Sequence, residues 1–161
     1  MSSFFLLLGS NLGERLANLQ EARLQISRSV GKIITVSSVY KTAAWGNVNQ
    51  PDFYNQAIEF EPWLDPHATL LKINEIEKSM GRVREERWGS RLIDIDILIW
   101  SQQVVHNPDL IIPHAQLQSR RFALVPLVEL APDFIHPVLK KSLSQLLAEC
   151  PDTLAVTQLE L

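Results

Sequence analysis

Nine residues near the middle of the chain constrain its fold more than any others: Leu92-Ile93-Asp94-Ile95-Asp96-Ile97-Leu98-Ile99-Trp100. Ile93, Ile95, Ile97 and Ile99 recur at every second position, which is the period of a β-strand and not of a helix. Four isoleucines on one face predict a strand whose inner side is core. Asp94 and Asp96 then share the other face, where each carboxylate needs water, a partner or a metal, because burying it unpaired is costly. Side chains two apart on a strand lie roughly 6–7 Å from each other. At that separation two carboxylates can each bind a hard cation, or share a pair of magnesium ions about 3.5–4 Å apart. Asp-x-Asp alone is weak evidence for metal and on its own reads better as a solvent-facing strand whose aspartates pair with arginines.

The preceding segment shifts the balance toward metal. Lys78, Arg82, Arg84, Arg87 and Arg91 stand against only Glu85 and Glu86, inside a chain whose net charge is −3. Arginine forks match phosphate oxygens in a two-pronged way that lysine cannot. Gly81 and Gly89 bracket the segment as hinges, and Trp88 amid charges suits a lid that stacks on a base or seals a pocket. Guanidiniums for phosphate beside carboxylates for magnesium read as a nucleotide site, although a charge run is more often a solvated loop.

Composition bounds the alternatives. With 161 residues, 46% hydrophobic and 20% charged, the chain is expected to form one domain spanning 1–161 with a sizeable core. Its acidic balance argues against a nucleic-acid binder. The single cysteine, Cys150, has no internal disulfide partner and points to a reducing compartment. No apolar run has signal-peptide or membrane-spanning length. A cytoplasmic protein with no membrane or nucleic-acid partner is expected, acting as a monomer.

Along the chain, Phe4–Leu8 reads as a buried strand, and Gly9-Ser10-Asn11-Leu12-Gly13 as a turn in which Ser10 or Asn11 caps the next helix. Glu14 to Val30 is that helix, amphipathic with Leu16, Leu19, Ala22 and Ile26 inward, ended by Gly31. Ile33 to Thr42 and Tyr54 to Glu61 read as strands. The eleven residues between them, Ala43 to Phe53, exceed a hairpin turn and form a candidate binding loop. Asp65 or Pro66 opens a second helix, which runs to about Met80 with Leu70, Ile73 and Ile76 or Glu77 inward, and Gly81 stops it. After the isoleucine strand come a short strand at Val104–Val105, a connection from Asn107 to Pro113, and a helix within Gln116 to Leu130. A last helix covers Leu143 to Glu149, and the tail beyond Pro151 is expected to fray. The order strand, helix, strand, strand, helix, strand is an α+β, ferredoxin-like βαββαβ core with an antiparallel sheet, helices on one face and a C-terminal elaboration. The isoleucine face would meet the helices, and the aspartate face would floor a cleft walled by the 43–53 and 82–91 loops. No phosphate-loop, protein-kinase or zinc-spacing motif occurs.

At this level of detail the chain resembles the 6-hydroxymethyl-7,8-dihydropterin pyrophosphokinase family. The resemblance is carried by Gly9–Gly13, Val36–Thr42, Gln50–Asn55, Arg82–Arg91 leading into Asp94–Leu98, Ile112-Pro113-His114 and Arg120–Leu127, in register from about Phe4 to Pro137. It implies transfer of the β,γ-pyrophosphate of ATP to the pterin hydroxymethyl group in folate biosynthesis. It also implies that Asp94 and Asp96 hold two Mg2+ ions on the ATP phosphates. Arg82, Arg91 and Arg120 would contact phosphates, and Arg84, Arg87 and Trp88 would ride on a mobile lid. Glu77 would line the site, His114 would contact the nucleotide, and Ile97 would line the adenine pocket through its backbone. Thr42 and Asn55 would read the pterin edge, with Asp94 beside it. Phe53 and Phe122 would sandwich the ring, and the loop Ala43-Ala44-Trp45 would border it.

The residues support these roles unevenly. A pterin has an amide edge that an Asn amide matches, and aromatic faces supply stacking. Phe53 and Phe122, taken alone, read better as core packing, and a lone histidine such as His114 is more often structural; for these three the resemblance carries the assignment. The chain departs from the family's common residues at Ala43-Ala44-Trp45, Ser90, Leu92-Ile93, Asp109 and Ala115, none of them a magnesium ligand or one of the arginines. A nucleotide-sensing domain and a two-metal phosphohydrolase are the rival readings of the same Asp pair. Because the chain stops soon after the kinase-like region, a monofunctional protein is expected.

Overall fold

The computed structural model describes residues 2–43, 50–81 and 92–161. Strands β1 (Phe4–Ser10), β2 (Gly31–Val36), β3 (Tyr40–Thr42), β4 (Phe53–Pro62) and β5 (Asp94–Trp100) form a mixed α/β fold with helices α1 (Arg15–Ser29) and α2 (Pro66–Ser79). Every pairing in the sheet is antiparallel, in the order β5-β1-β4-β3, with β2 also on β4. The strand predicted over 33–42 is divided. At the break Ser37 Oγ accepts the Ala57 N–H at 2.9 Å, and the Ser37 carbonyl accepts from Gln56 Nε2 at 2.8 Å. These side-chain bonds replace ladder contacts and let the chain step sideways before β3 resumes on β4.

One face of the sheet is covered by α1 and α2, whose Leu19, Ala22, Ile26, Ile73 and Ile76 meet Leu6, Leu8, Ile58, Ile93, Ile95 and Ile97. Asp65 caps α2 by accepting the Ala68 N–H at 2.8 Å. The expected cap of α1 does not form: Glu14 is its cap residue and makes no side-chain capping bond. Asn11 is instead fully buried and turned toward the 50–53 segment. Leu16, expected inward, is 42% exposed, because the buried stripe of α1 begins only at Leu19.

Ile99 is the instructive exception on β5. The register to β1 shifts there: Leu6 pairs with Ile97 but Phe5 pairs with Ile99, so Leu98 is an extra residue, a β-bulge. Beyond the bulge the alternation reverses. Leu98 and Ile99 lie in a second core with Phe5 and Leu7, and Trp100 joins the α1/α2 side. Only three of the four isoleucines therefore share the predicted face.

The second core is closed by α3 (Arg121–Leu130) and α4 (Leu143–Ala148), through Leu124, Leu127, Leu143 and Leu146. The C-terminal elaboration thus covers the other side of the sheet, so helices lie on both faces. A hairpin of β6 (Val105–Asn107) and β7 (Leu110–Ile112) occupies the predicted 107–113 connection. The tail does not fray: β8 (Val156–Gln158) pairs antiparallel with β3 and completes that edge. Among the described residues no helix is long and apolar enough to cross a membrane.

Candidate active site

Asp94 pairs with Gly9 and Asp96 with Leu7 on β1. Leu7 belongs to the second core and Ile95 to the first, so both aspartates project from the sheet face opposite α1 and α2. Both stand half-exposed. β5 is an edge strand, and its outward backbone groups need partners. Glu77, 3% exposed on α2, accepts the Ile95 N–H at 2.9 Å. The residue expected to line the site thus acts on the strand that carries the aspartates.

On the same face lies a compact polar cluster. Asn55, the β4 partner of Gly9, donates through Nδ2 to Thr42 Oγ1 at 2.9 Å, and both side chains are 3% exposed. An Asn amide has two N–H donors and a carbonyl acceptor, so this bond leaves one N–H and Oδ1 as a donor–acceptor pair for a planar ligand edge. Gly9 makes room for it: a Cβ there would lie 2.8 Å from Asn55 Oδ1 and 3.5 Å from the Phe53 ring. Phe53 is half-buried beside this cluster. Phe122, on α3, is half-buried against the second core, and the Arg120 guanidinium lies 5.7 Å from its ring centroid. Below the cluster Tyr40 donates its hydroxyl to Glu129 of α3. Burial, aided by that carboxylate, pushes the phenol up to about 12.

Two anchors escaped the sequence reading. Asn11 Nδ2 donates to Gln50 Oε1 at 3.0 Å and to the Pro51 carbonyl at 3.2 Å. Arg15 donates to the Asp52 carbonyl at 2.7 Å and to the Tyr54 hydroxyl at 3.2 Å, with its guanidinium 3.9 Å from the Tyr54 ring centroid. Together they fix the chain leading into Phe53 and Asn55. Asn11 belongs to the recognised first turn, but nothing in the sequence marked Arg15.

Beside β5 opens a cavity of about 290 Å³, lined by Asp96, Ile97 and His114 among the expected residues. The His114 N–H is held by the Leu98 carbonyl at 3.0 Å. Its Nδ1 accepts the Gln116 N–H at 3.1 Å, so the neutral ring carries its proton on Nε2. Burial, with a smaller contribution from the Arg120 charge, pulls this imidazole down to about 4. At neutral pH His114 is therefore an uncharged donor. Leu70 and the hairpin residues Asp109 and Ile111 complete the walls, with Ala115. Asp109 and Ala115 stand out in the sequence only as departures from the family's common residues, and nothing there ties Leu70 or Ile111 to the site.

Ala43 is exposed just past β3. Ala44, Trp45, Arg82, Arg84, Arg87, Trp88 and Arg91 lie outside the described residues. Among the described residues no group of three or more His, Cys, Asp or Glu is placed to hold a metal ion. The donor chemistry at Asp94 and Asp96, two hard carboxylates on one face, fits Mg2+ completed by water and substrate phosphates, which is how this ion is commonly bound.

Comparison with known proteins bears on the same residues. A family model described as 7,8-dihydro-6-hydroxymethylpterin-pyrophosphokinase (HPPK) matches residues 5–132. The 2-amino-4-hydroxy-6-hydroxymethyldihydropteridine pyrophosphokinase of Aquifex aeolicus is 38% identical over 145 residues, covering 90% of each chain. The protein of that name from Methylorubrum extorquens is 40% identical over 136 residues, covering 84% of this chain and 86% of its own. In fold, the chain is similar to an HPPK-DHPS crystal structure in complex with substrates, at a TM-score of 0.74 and 16% identity. It is also similar to the wild-type Plasmodium falciparum HPPK-DHPS with pterin and p-hydroxybenzoate, at 0.72 and 18%. Each match covers 92% of this chain, which spans 43% of the larger ones.

Proposed function

The chain belongs to the 7,8-dihydro-6-hydroxymethylpterin-pyrophosphokinase family, and from that premise we propose how its residues divide the work. The reaction transfers pyrophosphate from ATP to the hydroxymethyl group of 6-hydroxymethyl-7,8-dihydropterin and releases AMP, a step of folate biosynthesis. One observation carries the reading onto this chain: Asp94 and Asp96 share a sheet face with the Thr42–Asn55 pair, and Asp96 also lines the cavity holding His114. A flat acceptor on one side and a nucleotide on the other would meet at the two carboxylates.

On the acceptor side, Asn55 offers its remaining N–H and Oδ1 to the pterin amide edge, with Thr42 fixing its orientation. Phe53 and Phe122 supply the stacking faces, and Ala43, Ala44 and Trp45 border the ring. On the donor side, Glu77 occupies the Ile95 N–H. The alternation of a β-edge turns the Ile97 backbone the same way, where it meets the adenine edge. His114 donates from Nε2 to the nucleotide. Arg82, Arg84, Arg87, Arg91 and Arg120 are assigned to the phosphate charge, and Trp88 to the same nucleotide.

Asp94 and Asp96 would hold two Mg2+ ions with the ATP phosphates. Magnesium held by these two carboxylates would supply positive charge against the phosphate charge that builds during transfer. The attacking alcohol and the β-phosphorus need alignment more than covalent help from the protein. The rigid pieces, Asn55 on β4 and the aspartates on β5, are neighbours of the same strand, β1, which suits that demand.

The strand order β5-β1-β4-β2/β3 with α1 and α2 on one face supports a ferredoxin-like core. The pairing of β8 with β3 supports a single pyrophosphokinase domain over 1–161. We assign it to the cytoplasm as a monomer that takes ATP and the pterin and no nucleic acid. The deciding assay is AMP formation from MgATP with and without 6-hydroxymethyl-7,8-dihydropterin. AMP that appears only with the pterin is the expected result. ADP or phosphate released without it would make the protein a hydrolase, and nucleotide binding without turnover would make it a sensor.

A further inference from the structure

One charged group in the nucleotide cavity has no part in the reaction as described. Asp109 stands exposed in the two-residue turn between β6 and β7 and lines the same cavity as Asp96, Ile97 and His114. The hairpin that carries it is braced at both ends. Asn107 Nδ2 meets His67 Nε2 of α2 at 2.9 Å, and Leu110 is buried in the main core. The backbone that carries Asp109 is therefore anchored at the wall of the cavity.

The other side chains lining the cavity are apolar apart from Asp96 and His114. Asp96 faces the phosphates and their magnesium, and neutral His114 is a donor. A second carboxylate near the triphosphate would repel it, so the phosphates must run toward Asp96 and away from Asp109. The base is served by the apolar walls and the β5 backbone edge. The remaining part of a nucleotide is the sugar. A carboxylate is an acceptor with two oxygens, suited to the two adjacent hydroxyls of a ribose. Acidic side chains read ribose hydroxyls in the same way in dinucleotide-binding folds.

We propose that Asp109 binds the ribose diol and makes this enzyme select ribonucleoside over 2′-deoxyribonucleoside triphosphates. The assignment rests on reading the cavity as the ATP site. The test compares kcat/KM for ATP, 2′-deoxy-ATP and GTP, with Mg2+ and the pterin, in the wild type, Asp109→Asn and Asp109→Ala. Asp109 is exposed at a turn, so both variants are expected to fold, and a thermal melt checks this.

The wild type should prefer ATP over 2′-deoxy-ATP by about tenfold or more, the scale of one hydrogen bond to a charged acceptor. In Asp109→Ala the two should come within about twofold, through a higher KM for ATP and not through kcat. A wild type that uses both equally, or a preference that survives in Asp109→Ala, overturns the proposal while leaving the pyrophosphokinase reading intact. A gain in GTP use on losing Asp109, with the deoxy preference unchanged, also overturns it, because the carboxylate would then be reading the base. Failure of ATP itself to bind or react would overturn both.

Discussion

Gly9→Ala is a one-carbon probe of the acceptor site. The new Cβ would sit 2.8 Å from Asn55 Oδ1, inside normal contact, and 3.5 Å from Phe53, an ordinary one. Gly9 is not among the residues with a positive φ, so alanine fits the strand backbone, and the strain falls on the Asn55 amide. That amide is held on its other side by the 2.9 Å bond to Thr42, so it must either stretch this bond or rotate away from the ligand. In both cases the donor–acceptor pair that would meet the pterin edge is misaligned. Two hydrogen bonds of about 0.5–1.5 kcal/mol each are then at risk, roughly 1–3 kcal/mol in all. That corresponds to about 5- to 150-fold weaker pterin binding. The fold itself changes little, since alanine in a strand recovers roughly 0.5–1 kcal/mol of backbone entropy against the crowding. Isothermal titration with the pterin, in the presence of a non-hydrolysable ATP analogue, reads the effect, and the analogue's own affinity is the internal control. Wild-type pterin affinity in Gly9→Ala would refute the assignment of Asn55 to the acceptor.

Three further outcomes are expected. Asp96→Ala should nearly abolish turnover at saturating Mg2+ while shifting Tm little, because the residue is half-exposed; full activity would remove Asp96 from the metal site. Arg15→Met should raise KM for the pterin severalfold and leave KM for ATP unchanged, with Arg15→Lys recovering part of the loss; equal changes for both substrates would make the residue merely structural. His114 should make the fold acid-labile. Its value of about 4 lies below the ordinary 6.5, so the unfolded chain binds the extra proton first. Stability is full above about 6.5, is lost as pH falls toward about 4, and then levels off, by about 3 kcal/mol in total. His136, also lowered by burial, acts in the same direction. Urea melts from pH 7.5 to 4.5 should show a shallower slope in His114→Asn, and identical slopes would remove His114 from the acid response.

What could be read in the sequence was what depends on local order. The period of two across 93–97, the Asp65 cap and the glycines after the two long helices needed no partner to be recognised. Features set by pairing were hidden. Ile99 changes face because of a bulge defined against β1. Ser37 interrupts a β-branched run because of a bond to Ala57, twenty residues on. Val156-Thr157-Gln158 carries no apolar alternation and becomes a strand only because the β3 edge is there to receive it. The site divides in the same way. Asp94, Asp96, Asn55 and His114 stood out through motifs. Arg15 finds its partners across the fold, and the cavity that Asp109 lines is assembled from distant segments, so no spacing rule finds either.

The bulge at Leu98 has a consequence for chain length. Because Leu98 is the unmatched residue, removing it would leave Leu6 opposite Ile97 and Phe5 opposite Ile99, with every neighbour on its present face. The sheet would lose nothing from its ladder. It would lose the Leu98 side chain, 2% exposed in the second core, and the Leu98 carbonyl that holds the His114 backbone, and with it the tether between the strand bearing Asp96 and the segment that forms the cavity's far wall. A single-codon deletion there should therefore give a less stable protein, by about 2–5 kcal/mol for the lost core leucine, in which nucleotide binding suffers more than pterin recognition. In this chain one surplus residue in a strand serves as the hinge pin of a binding site.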